Sequence, residues 1–378
     1  MRSGRILALV TDGFGGRGGI ALYGRHVLRA LCSHPRVGRV VAIPRSVSYA
    51  AEALPERLEY AWSAADGLWE YAWAVATRAV LCTRPDLIVC GHLHLLPVAR
   101  VLQTRFRSPV LLLTYGVEAW KPTSHAMSNF LARDVKYVAS IRQFTLDQLA
   151  NWSGMRPRGR YLLPNCVDPS RLEPGPKRPD LEERWSLRGK KVVMTAGRMD
   201  ASPLELRKGF DEVLEAMPAM LRSTPDLVYM VVGDGPEQAN LERKASSLGV
   251  SEHVRFVGYV REEEKADYYR LADVFAMPGS NPAFDTYPFR FAFLEALACG
   301  LPVVAARMQL ESERTHPDVE SLLILVDPND PGSVAEGISR GLARSAAGAT
   351  RQAAVASYFY EPFERKAHAI VDDILARG

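Results

Sequence analysis

The sequence predicts an α/β protein made of two doubly wound parallel-sheet domains, and three observations support this prediction. Apolar strand-like runs alternate with amphipathic helical stretches in both halves of the chain, as in consecutive βαβ units. A segment rich in proline and charge begins near Tyr161 and separates the two alternations as a linker would. The chain has 378 residues, about two to three times the usual domain length.

The first alternation starts with a buried strand and continues as βαβ units. Its predicted strands are RILALVTD, VGRVVAIP, PDLIVCG, SPVLLLTYG and the start of YVASIRQFTLDQLANW, which runs on into a helix. Its other predicted helices are ALYGRHVLRALCSH, a tryptophan-rich stretch from Leu68 to Thr83, and HLLPVARVLQTRF. Continuous apolar runs of this length are typical of strands covered on both faces.

The second alternation follows the linker. Its predicted strands are KKVVMTAGR, LVYMVVGDG, VRFVGYV, VFAMPG, PVVAA and SLLILV, and its helices are KGFDEVLEAMPAML, PEQANLERKASSLG, EEEKADYYRLA, FLEALACG and the start of one in DPNDPGSVAEGI. The tail SYFYEPFERKAHAIVDDILARG predicts a last amphipathic helix. We therefore expect one domain over residues 1–170, joined by the helix 358–378, and a second over 171–357.

Composition excludes several classes of protein. Hydrophobic residues make up 47% and charged residues 24%, which excludes a wholly disordered chain, a collagen-like repeat and a disulfide miniprotein. No apolar run reaches the roughly 18 uncharged residues that a membrane helix needs. The five cysteines are scattered and lack CxxC spacing. This pattern indicates a reducing cytoplasm and neither a zinc site nor a disulfide framework.

Charge is distributed unevenly along the chain. Residues 1–175 hold 22 Lys and Arg against 12 Asp and Glu, a net +10, and the remainder holds 25 against 31, a net −6. A basic first half suits an anionic membrane surface, a diphosphate-bearing ligand or nucleic acid, although a solvated face with no partner explains it equally. The absence of Lys/Arg runs and of aromatic-basic motifs argues against nucleic acid.

A glycine-rich loop follows the first strand, in LVTDGFGGRGG. Its glycines let backbone N–H groups approach a ligand, and the start of the next helix favours an anion. The loop is similar to a dinucleotide fingerprint, but the second strand and its end, VVAIPRS, lack the expected acidic residue. A nicotinamide enzyme is therefore a weak hypothesis, and a flexible turn without a ligand remains an alternative.

Two cations stand at one strand-to-helix crossing of the second half. Arg198 ends the strand in TAGRMD, and Lys208 with Gly209 opens the next helix. A guanidinium fork and a point charge can together hold a diphosphate, whereas Arg198 alone would be read as a surface ion pair. Glu295 is expected in the first turn of its helix, where it is either a helix-terminus charge or an acceptor for ribose hydroxyls.

The order of these motifs resembles the retaining nucleotide-sugar glycosyltransferases of family 4, which include glycogen-synthase-like and phosphatidylinositol mannosyltransferase-like enzymes. The matching motifs are GGxxxY, PN-V-D, GR…KGFD, VVGDGP, FVGYV and FLEALACGLPVVA. The resemblance covers essentially the whole chain. It implies the GT-B architecture, in which two Rossmann-like domains face each other across a cleft, with the acceptor on the N-terminal domain and the nucleotide sugar on the C-terminal one.

The resemblance also implies roles for individual residues. Arg198 and Lys208 would bind the donor diphosphate and stabilise the leaving nucleotide, and Glu295 would hold the ribose. Other donor contacts would come from Gly18 and Gly19 in the glycine-rich loop, Gly209 beside Lys208, the backbone of Gly258 and Tyr259 near the base, and the amides of Phe293 and Leu294 near the phosphate. The family uses no metal or cofactor, and its leaving phosphate takes the proton of the acceptor hydroxyl.

Two departures from the family pattern affect the sugar site. Tyr287 stands where the family has its first Glu, followed by Pro288 and Phe289, and Asp285 could reach the same place. Tyr115 stands where a His normally lies near the sugar, and its phenol can still donate a hydrogen bond there. Glu118 is retained and, with His92, is a candidate for acceptor binding, although a lone His is more often structural. The segment between Arg198 and Lys208 is longer than usual.

These observations predict a cytoplasmic enzyme, peripheral on the inner face of the membrane, that moves a hexose from a UDP- or GDP-sugar to a lipid-linked or polysaccharide acceptor. The lipid hypothesis depends on the basic first half and on Trp69, Trp73, Arg105 and Arg107 as exposed candidates. The alternatives are a transferase that acts on a soluble small molecule and a non-catalytic relative that binds a sugar or a partner.

Overall fold

The computed structural model describes residues 4–50, 53–81, 83–199, 208–279, 291–307, 322–344 and 348–377. It divides the chain into two compact units, one formed by Met1–Cys166 with Tyr360–Gly378 and the other by Val167–Phe359. We call them unit 1 and unit 2. Each has its own parallel sheet, so the predicted fold class is confirmed. The sequence analysis expects the domain boundaries at 170/171 and 357/358, whereas the two units divide at 166/167 and 359/360.

Unit 1 contains a seven-stranded sheet in the order β3-β2-β1-β4-β5-β6-β7. The strands are β1 Gly4–Val10, β2 Val37–Pro44, β3 Leu58–Tyr60, β4 Leu87–Cys90, β5 Val110–Thr114, β6 Tyr137–Ser140 and β7 Gly159–Leu162. The connecting helices are α1 Gly19–Ser33, α2 Leu68–Leu81, α3 Leu96–Phe106, α4 Ala126–Ala132 and α5 Gln143–Ser153. All residues of β4, β5 and β6 are buried, as expected of central strands covered on both faces.

Unit 2 contains a six-stranded sheet in the order β10-β9-β8-β11-β12-β13. The strands are β8 Lys191–Ala196, β9 Leu227–Val232, β10 Val254–Gly258, β11 Val274–Met277, β12 Val303–Ala306 and β13 Leu323–Val326. The helices are α6 Pro179–Arg184, α7 Phe210–Ser223, α8 Gln238–Ser247, α9 Lys265–Leu271, α10 Phe291–Ala298, α11 Pro331–Ala343 and α12 Gly348–Ala354. The strand order reverses direction between β8 and β11, and such a switch point favours a ligand at the carboxyl ends of the strands.

The last helix, α13 Tyr360–Arg377, belongs to unit 1. It packs on α1, where the Phe363 ring meets the Tyr23 ring edge-on with centroids 5.8 Å apart. The Tyr161 hydroxyl donates a hydrogen bond to the Asp373 carboxylate over 2.6 Å. The last helix therefore completes the core of the first unit. Among the helices in the described ranges, none combines the length and apolar character needed to cross a bilayer.

The segment expected to be a linker is partly regular. It contains the end of β7, which pairs with β6, and all of α6. Only Gly159 of the four β7 residues is buried, so this edge strand lacks the apolar run that identifies the central ones. The short elements β3, α4 and α12 also lie in regions that have no periodic pattern long enough to predict them.

Replacing Phe363 with alanine should destabilise unit 1, because the ring is 3% exposed and contacts both Tyr23 and His26. We expect a loss of about 3 kcal/mol in the free energy of unfolding. Tryptophan fluorescence during urea unfolding can measure this, since five of the six tryptophans lie in unit 1. Glu361→Ala, on the exposed side of α13, is the control and should have no measurable effect. Equal midpoints for the two variants would contradict the assignment of α13 to the core.

Candidate functional site

The carboxyl ends of β8, β9 and β10 are linked by backbone hydrogen bonds. The Gly197 N–H donates to the Val232 carbonyl over 2.9 Å, and the Gly233 N–H donates to the Gly258 carbonyl over 2.8 Å. A further bond runs from the Met199 N–H to the Asp234 carbonyl, also over 2.9 Å. The three strand ends thus form one continuous edge of unit 2.

Gly233 makes this close approach possible. Its φ is +126°, and a Cβ atom built on it would lie 2.0 Å from the Gly197 carbonyl oxygen. No other residue fits there, because the clash is with backbone and the backbone conformation disfavours L side chains. The loop after β8, which carries Arg198, is held against the loop after β9 for this reason.

The structure brings Arg198 and Lys208 together at this edge. A Cβ atom built on Gly197 would lie 3.5 Å from Cγ and Cδ of Lys208, so the lysine side chain runs past the residue that immediately precedes Arg198. Arg198 is exposed and Lys208 is half-buried. Two cations from the one segment that joins β8 to α7 therefore stand at the switch point, and the sequence predicts that such a pair holds a diphosphate.

Gly209 follows Lys208 directly and is the N-cap residue of α7. Its φ is +89°, and a Cβ atom there would lie 2.5 Å from Cδ of Pro278 and 2.6 Å from the Gly279 nitrogen. A side chain at this position would push the start of α7 away from the end of β11. The first N–H groups of a helix attract anions, and this glycine places them next to the lysine.

Gly258 and Tyr259 lie at the end of β10. Gly258 has a φ of +80°, and Tyr259 is 40% exposed. Their backbone is thus on the same edge as Arg198, because Gly258 accepts the hydrogen bond from Gly233.

Glu295 is buried in unit 2 and already has two partners. Its Oε1 accepts a hydrogen bond from Lys265 Nζ over 2.9 Å, and its Oε2 accepts one from the Tyr269 hydroxyl over 2.7 Å. The residue is 5% exposed. It is the fifth residue of α10, so the expectation that it lies in the first turn was wrong, since the helix already includes Phe291. A ribose hydroxyl would have to share this carboxylate with Lys265 and Tyr269.

Lys265 and Tyr269 were not identified from the sequence. They lie four residues apart on α9 and so project from one helix face. Burial opposes the charged form of Lys265, but Glu295 and Glu262 outweigh it and raise the pKa of the lysine. Burial, followed by the nearby Glu295 carboxylate, also raises the pKa of Tyr269. The lysine therefore stays charged and compensates the buried glutamate.

The remaining predicted donor residues of unit 2 divide into two groups. Phe293 and Leu294 are 0% exposed and pack in the core of unit 2, so only their backbone could meet a phosphate. Asp285, Tyr287 and Phe289 lie outside the described residues, as does the lengthened segment 200–207.

In unit 1, Gly18 and Gly19 lie at the start of α1. Gly18 is the N-cap with a φ of +91°, and a Cβ atom on it would meet nothing within 4 Å. The preceding turn is held by Arg25, whose Nη1 donates to the carbonyls of Gly13 and Gly16 over 3.2 and 3.0 Å. Arg25 is 3% exposed. Arg25 therefore holds the glycine-rich loop on the side that faces the core of unit 1, and at Gly18 the loop has open space beside it.

Tyr115, Glu118 and His92 lie at the carboxyl ends of β4 and β5. The Tyr115 hydroxyl donates a hydrogen bond to the Gly91 carbonyl over 2.6 Å, so the proton that was expected to face a sugar is directed at the protein backbone. The Glu118 carboxylate accepts hydrogen bonds from the N–H groups of Tyr115 and Gly116. Burial raises the pKa of Glu118, and these backbone donors oppose the shift.

His92 combines a structural role with its position at the edge. Its Nδ1 accepts a hydrogen bond from the His94 N–H over 3.1 Å, which caps the 3₁₀ turn Leu93–Leu95. A structural role for His92 thus explains the position of its Nδ1 atom. It does not account for Nε2.

Comparison with known proteins adds independent information. A family described as "Glycosyl transferases group 1" matches residues 190–344. The chain is 34% identical over 204 residues to the GDP-mannose-dependent alpha-(1-6)-phosphatidylinositol monomannoside mannosyltransferase of Mycolicibacterium smegmatis, a match that covers 52% of each chain. It is also 34% identical over 223 residues to the D-inositol 3-phosphate glycosyltransferase of Geodermatophilus obscurus, covering 56% of this chain and 47% of that protein.

Among solved structures, the chain is similar to Anabaena HepE in complex with UDP, with a TM-score of 0.71 and 20% identity, over 98% of this chain and 100% of that one. This likeness concerns the fold. The chain spans about half the length of the curated relatives named above.

Replacing Lys265 with methionine should destabilise unit 2, because it leaves the Glu295 carboxylate buried without its cation. We expect the free energy of unfolding to fall by about 3 kcal/mol. A urea titration monitored by circular dichroism measures this change. The double variant Lys265→Met/Glu295→Gln should recover part of the loss. Arg261→Ala removes an exposed pair with Glu264 and should leave the midpoint unchanged. A midpoint for Lys265→Met equal to that of Arg261→Ala would show that the buried pair is not structural.

Proposed function

We propose that this chain, whose residues 190–344 form a glycosyl transferases group 1 domain, is a retaining glycosyltransferase that needs no metal. It would move a hexose from a UDP- or GDP-sugar to a lipid-linked or polysaccharide acceptor. The observation that supports this proposal is the course of the Lys208 side chain past Gly197, the residue before Arg198, next to the start of α7. Fixed positive charge at that point suits the diphosphate of a departing nucleotide.

The proposed transfer depends on the negative charge that the carboxyl edge of the unit 2 sheet can stabilise. When the bond between the sugar and the diphosphate breaks, negative charge develops on the phosphate oxygens. Arg198, Lys208 and the amides at Gly209 would offset that charge. In a retaining transfer on one face of the sugar, the departing phosphate takes the proton of the acceptor hydroxyl, so the protein contributes positioning and charge rather than a carboxylate nucleophile.

The nature of the donor and acceptor is proposed from the relatives. The mycobacterial relative is named for GDP-mannose and a phosphatidylinositol monomannoside, which supports a GDP-sugar and a lipid-linked acceptor. The relative from Geodermatophilus obscurus is named for D-inositol 3-phosphate, which supports the alternative of a soluble acceptor. Arg198 and Lys208, the two cations that the resemblance assigns to the diphosphate, are both present, and this argues against a non-catalytic protein.

An exposed apolar surface on unit 1 supports the lipid alternative. Helices α2, α3 and α4 follow β3, β4 and β5, and all three crossovers run in the same direction along the sheet. Right-handed crossovers therefore put these helices on one side of it. The outward apolar side chains of this layer, which we call the apolar helix face, are Leu68, Trp69, Trp73, Val101, Met127 and Phe130, each between 60% and 85% exposed.

The charge of unit 1 complements an anionic bilayer. Residues 1–166 and 360–378 hold 24 Lys and Arg against 14 Asp and Glu, a net +10. Exposed tryptophans on a basic protein favour the interfacial region of a membrane. We therefore propose that unit 1 docks on the cytoplasmic leaflet through the apolar helix face.

The proposed diphosphate grip can be tested by substitution. Arg198→Ala and Lys208→Ala should each lower kcat/KM by about 2–4 kcal/mol of transition-state stabilisation, roughly 30- to 1000-fold. Arg188→Ala, an exposed cation of the same unit, is the matched control and should keep full activity. The measurement is transfer from radiolabelled GDP-mannose and UDP-glucose to a membrane extract. Full activity in both site variants would refute the proposal.

Nucleotide preference can be measured without an acceptor. A thermal-shift screen against UDP, GDP, ADP and TDP should identify the base, since a ligand at 100 times its Kd adds about 2.7 kcal/mol of stability. We expect GDP or UDP to stabilise the wild-type protein, and Arg198→Ala to reduce that shift. A protein that responds to none of the four would contradict nucleotide-sugar binding.

Membrane docking depends on the two most exposed tryptophans. Trp69→Ala/Trp73→Ala should weaken binding to vesicles that contain anionic lipid by roughly tenfold or more, because each ring loses burial in the interface. Flotation of the protein with such vesicles measures this. Leu325→Ala removes an exposed apolar side chain of unit 2 and should bind like wild type. Equal flotation with neutral and anionic vesicles would exclude the charge-assisted docking.

A further inference from the structure

Three histidines of unit 1 form a cluster that the proposed donor chemistry does not use. His92 follows β4, His94 lies in the 3₁₀ turn after it, and His125 immediately precedes α4. The ring centroids of His92 and His94 are 4.6 Å apart, and those of His94 and His125 are 4.2 Å apart. We call these residues the imidazole cluster.

Glu118 adds a carboxylate to the same place. It lies in the 3₁₀ turn after β5, its backbone donors hold it in position, and it is close enough to His94 to influence the titration of that ring. Two further titratable groups lie beneath the cluster. The Tyr115 hydroxyl bonds the Gly91 carbonyl, and the Cys90 thiol donates to the His92 carbonyl over 3.3 Å.

Their surroundings lower the pKa of two rings of the cluster, His92 and His94. Burial, with a smaller contribution from His125, lowers the pKa of His92. Burial and then the neighbouring rings His92 and His125 lower the pKa of His94, and Glu118 only partly opposes this. A neutral imidazole carries one N–H donor and one nitrogen acceptor. His92 accepts through Nδ1, so its proton is on Nε2 and can be donated.

This charge state selects among ligand classes. A phosphate group would lie next to the Glu118 carboxylate, and the lowered pKa values of His92 and His94 disfavour the ring charge that would offset this repulsion. No group of three or more His, Cys, Asp or Glu side chains in the described ranges is placed to hold a metal ion. Adjacent hydroxyl groups on a ring match the cluster, because each hydroxyl both donates and accepts, as the imidazoles do, and the carboxylate accepts a further donor.

We propose that the imidazole cluster and Glu118 form a recognition site for vicinal hydroxyls of a cyclic polyol or sugar, which is the acceptor headgroup if the proposed function holds. His94 and His125 are exposed and His92 is half-buried, so a ligand can reach all three rings. His125 is also the residue immediately before α4, the helix that carries Met127 and Phe130 of the apolar helix face. A headgroup at the cluster thus lies beside the surface proposed to meet lipid.

Binding can be measured without any transferase activity. Histidine Cε1–H resonances of the full chain, assigned with single His→Gln variants, are followed by NMR while myo-inositol or methyl α-mannoside is added at pH 7.5. We expect saturable shifts for His92, His94 and His125 with at least one of the two probes, and none for His253 or His368. The absence of any saturable shift in the cluster with both probes would overturn the proposal.

Inorganic phosphate is the rival probe in the same experiment. The proposal expects it to cause no saturable shift in the cluster. Saturable binding of phosphate that raises the pKa of these rings would overturn the proposal in favour of an anion site. Both outcomes are independent of whether the chain transfers a sugar.

A kinetic arm applies once transfer to an acceptor is measured. His94→Gln and His125→Gln should each raise KM for the acceptor about tenfold and leave KM for the donor unchanged. In the wild type, acceptor affinity should be present at neutral pH and lost as the pH falls through the lowered pKa values of His92 and His94, because each of these two rings loses its acceptor nitrogen when it is protonated. Unchanged acceptor KM in both variants would contradict the proposal, and a loss of GDP or UDP binding would indicate a fault in unit 2 instead.

Discussion

The close packing of backbone at the carboxyl edge of unit 2 is the constraint on which the candidate site depends. The loop after β9 lies against the loop after β8 only because Gly233 has no side chain, and α7 begins against the end of β11 only because Gly209 has none. These two contacts bring the backbone that carries Arg198, the Lys208 side chain and the start of α7 to the same edge of the sheet. This edge includes the place between β8 and β11 where the strand order reverses, which is where open α/β sheets bind ligands.

Most of the fold was predictable because the central strands are strongly apolar and the helices between them are long. The predicted strand VGRVVAIP coincides with β2, and the tryptophan-rich stretch begins at the first residue of α2. Short edge elements were not predictable. β7 has four residues, mostly accessible, and its pairing with β6 depends on a partner that the local sequence does not specify.

The site was predictable to the extent that it follows the strand ends. Arg198 and Lys208 stand at the strand-to-helix crossing that the sequence indicates, because β8 and α7 both have clear apolar patterns. The partners of Glu295 were missed, since Lys265 and Tyr269 reach it from another helix, and only tertiary packing brings α9 to α10. His125 was missed for the same reason: it is distant from His94 in sequence and meets it only after α4 packs beside α3.

The return of α13 to unit 1 has a consequence for biosynthesis. Tyr23 and His26 emerge early from the ribosome, whereas Phe363, which covers them, emerges only after all of unit 2 has been translated. The second unit is continuous in sequence and can fold as soon as it leaves the exit tunnel. The first must wait with an uncovered apolar patch on α1, so the amino-terminal half of the nascent chain is the part that a chaperone would be expected to shield.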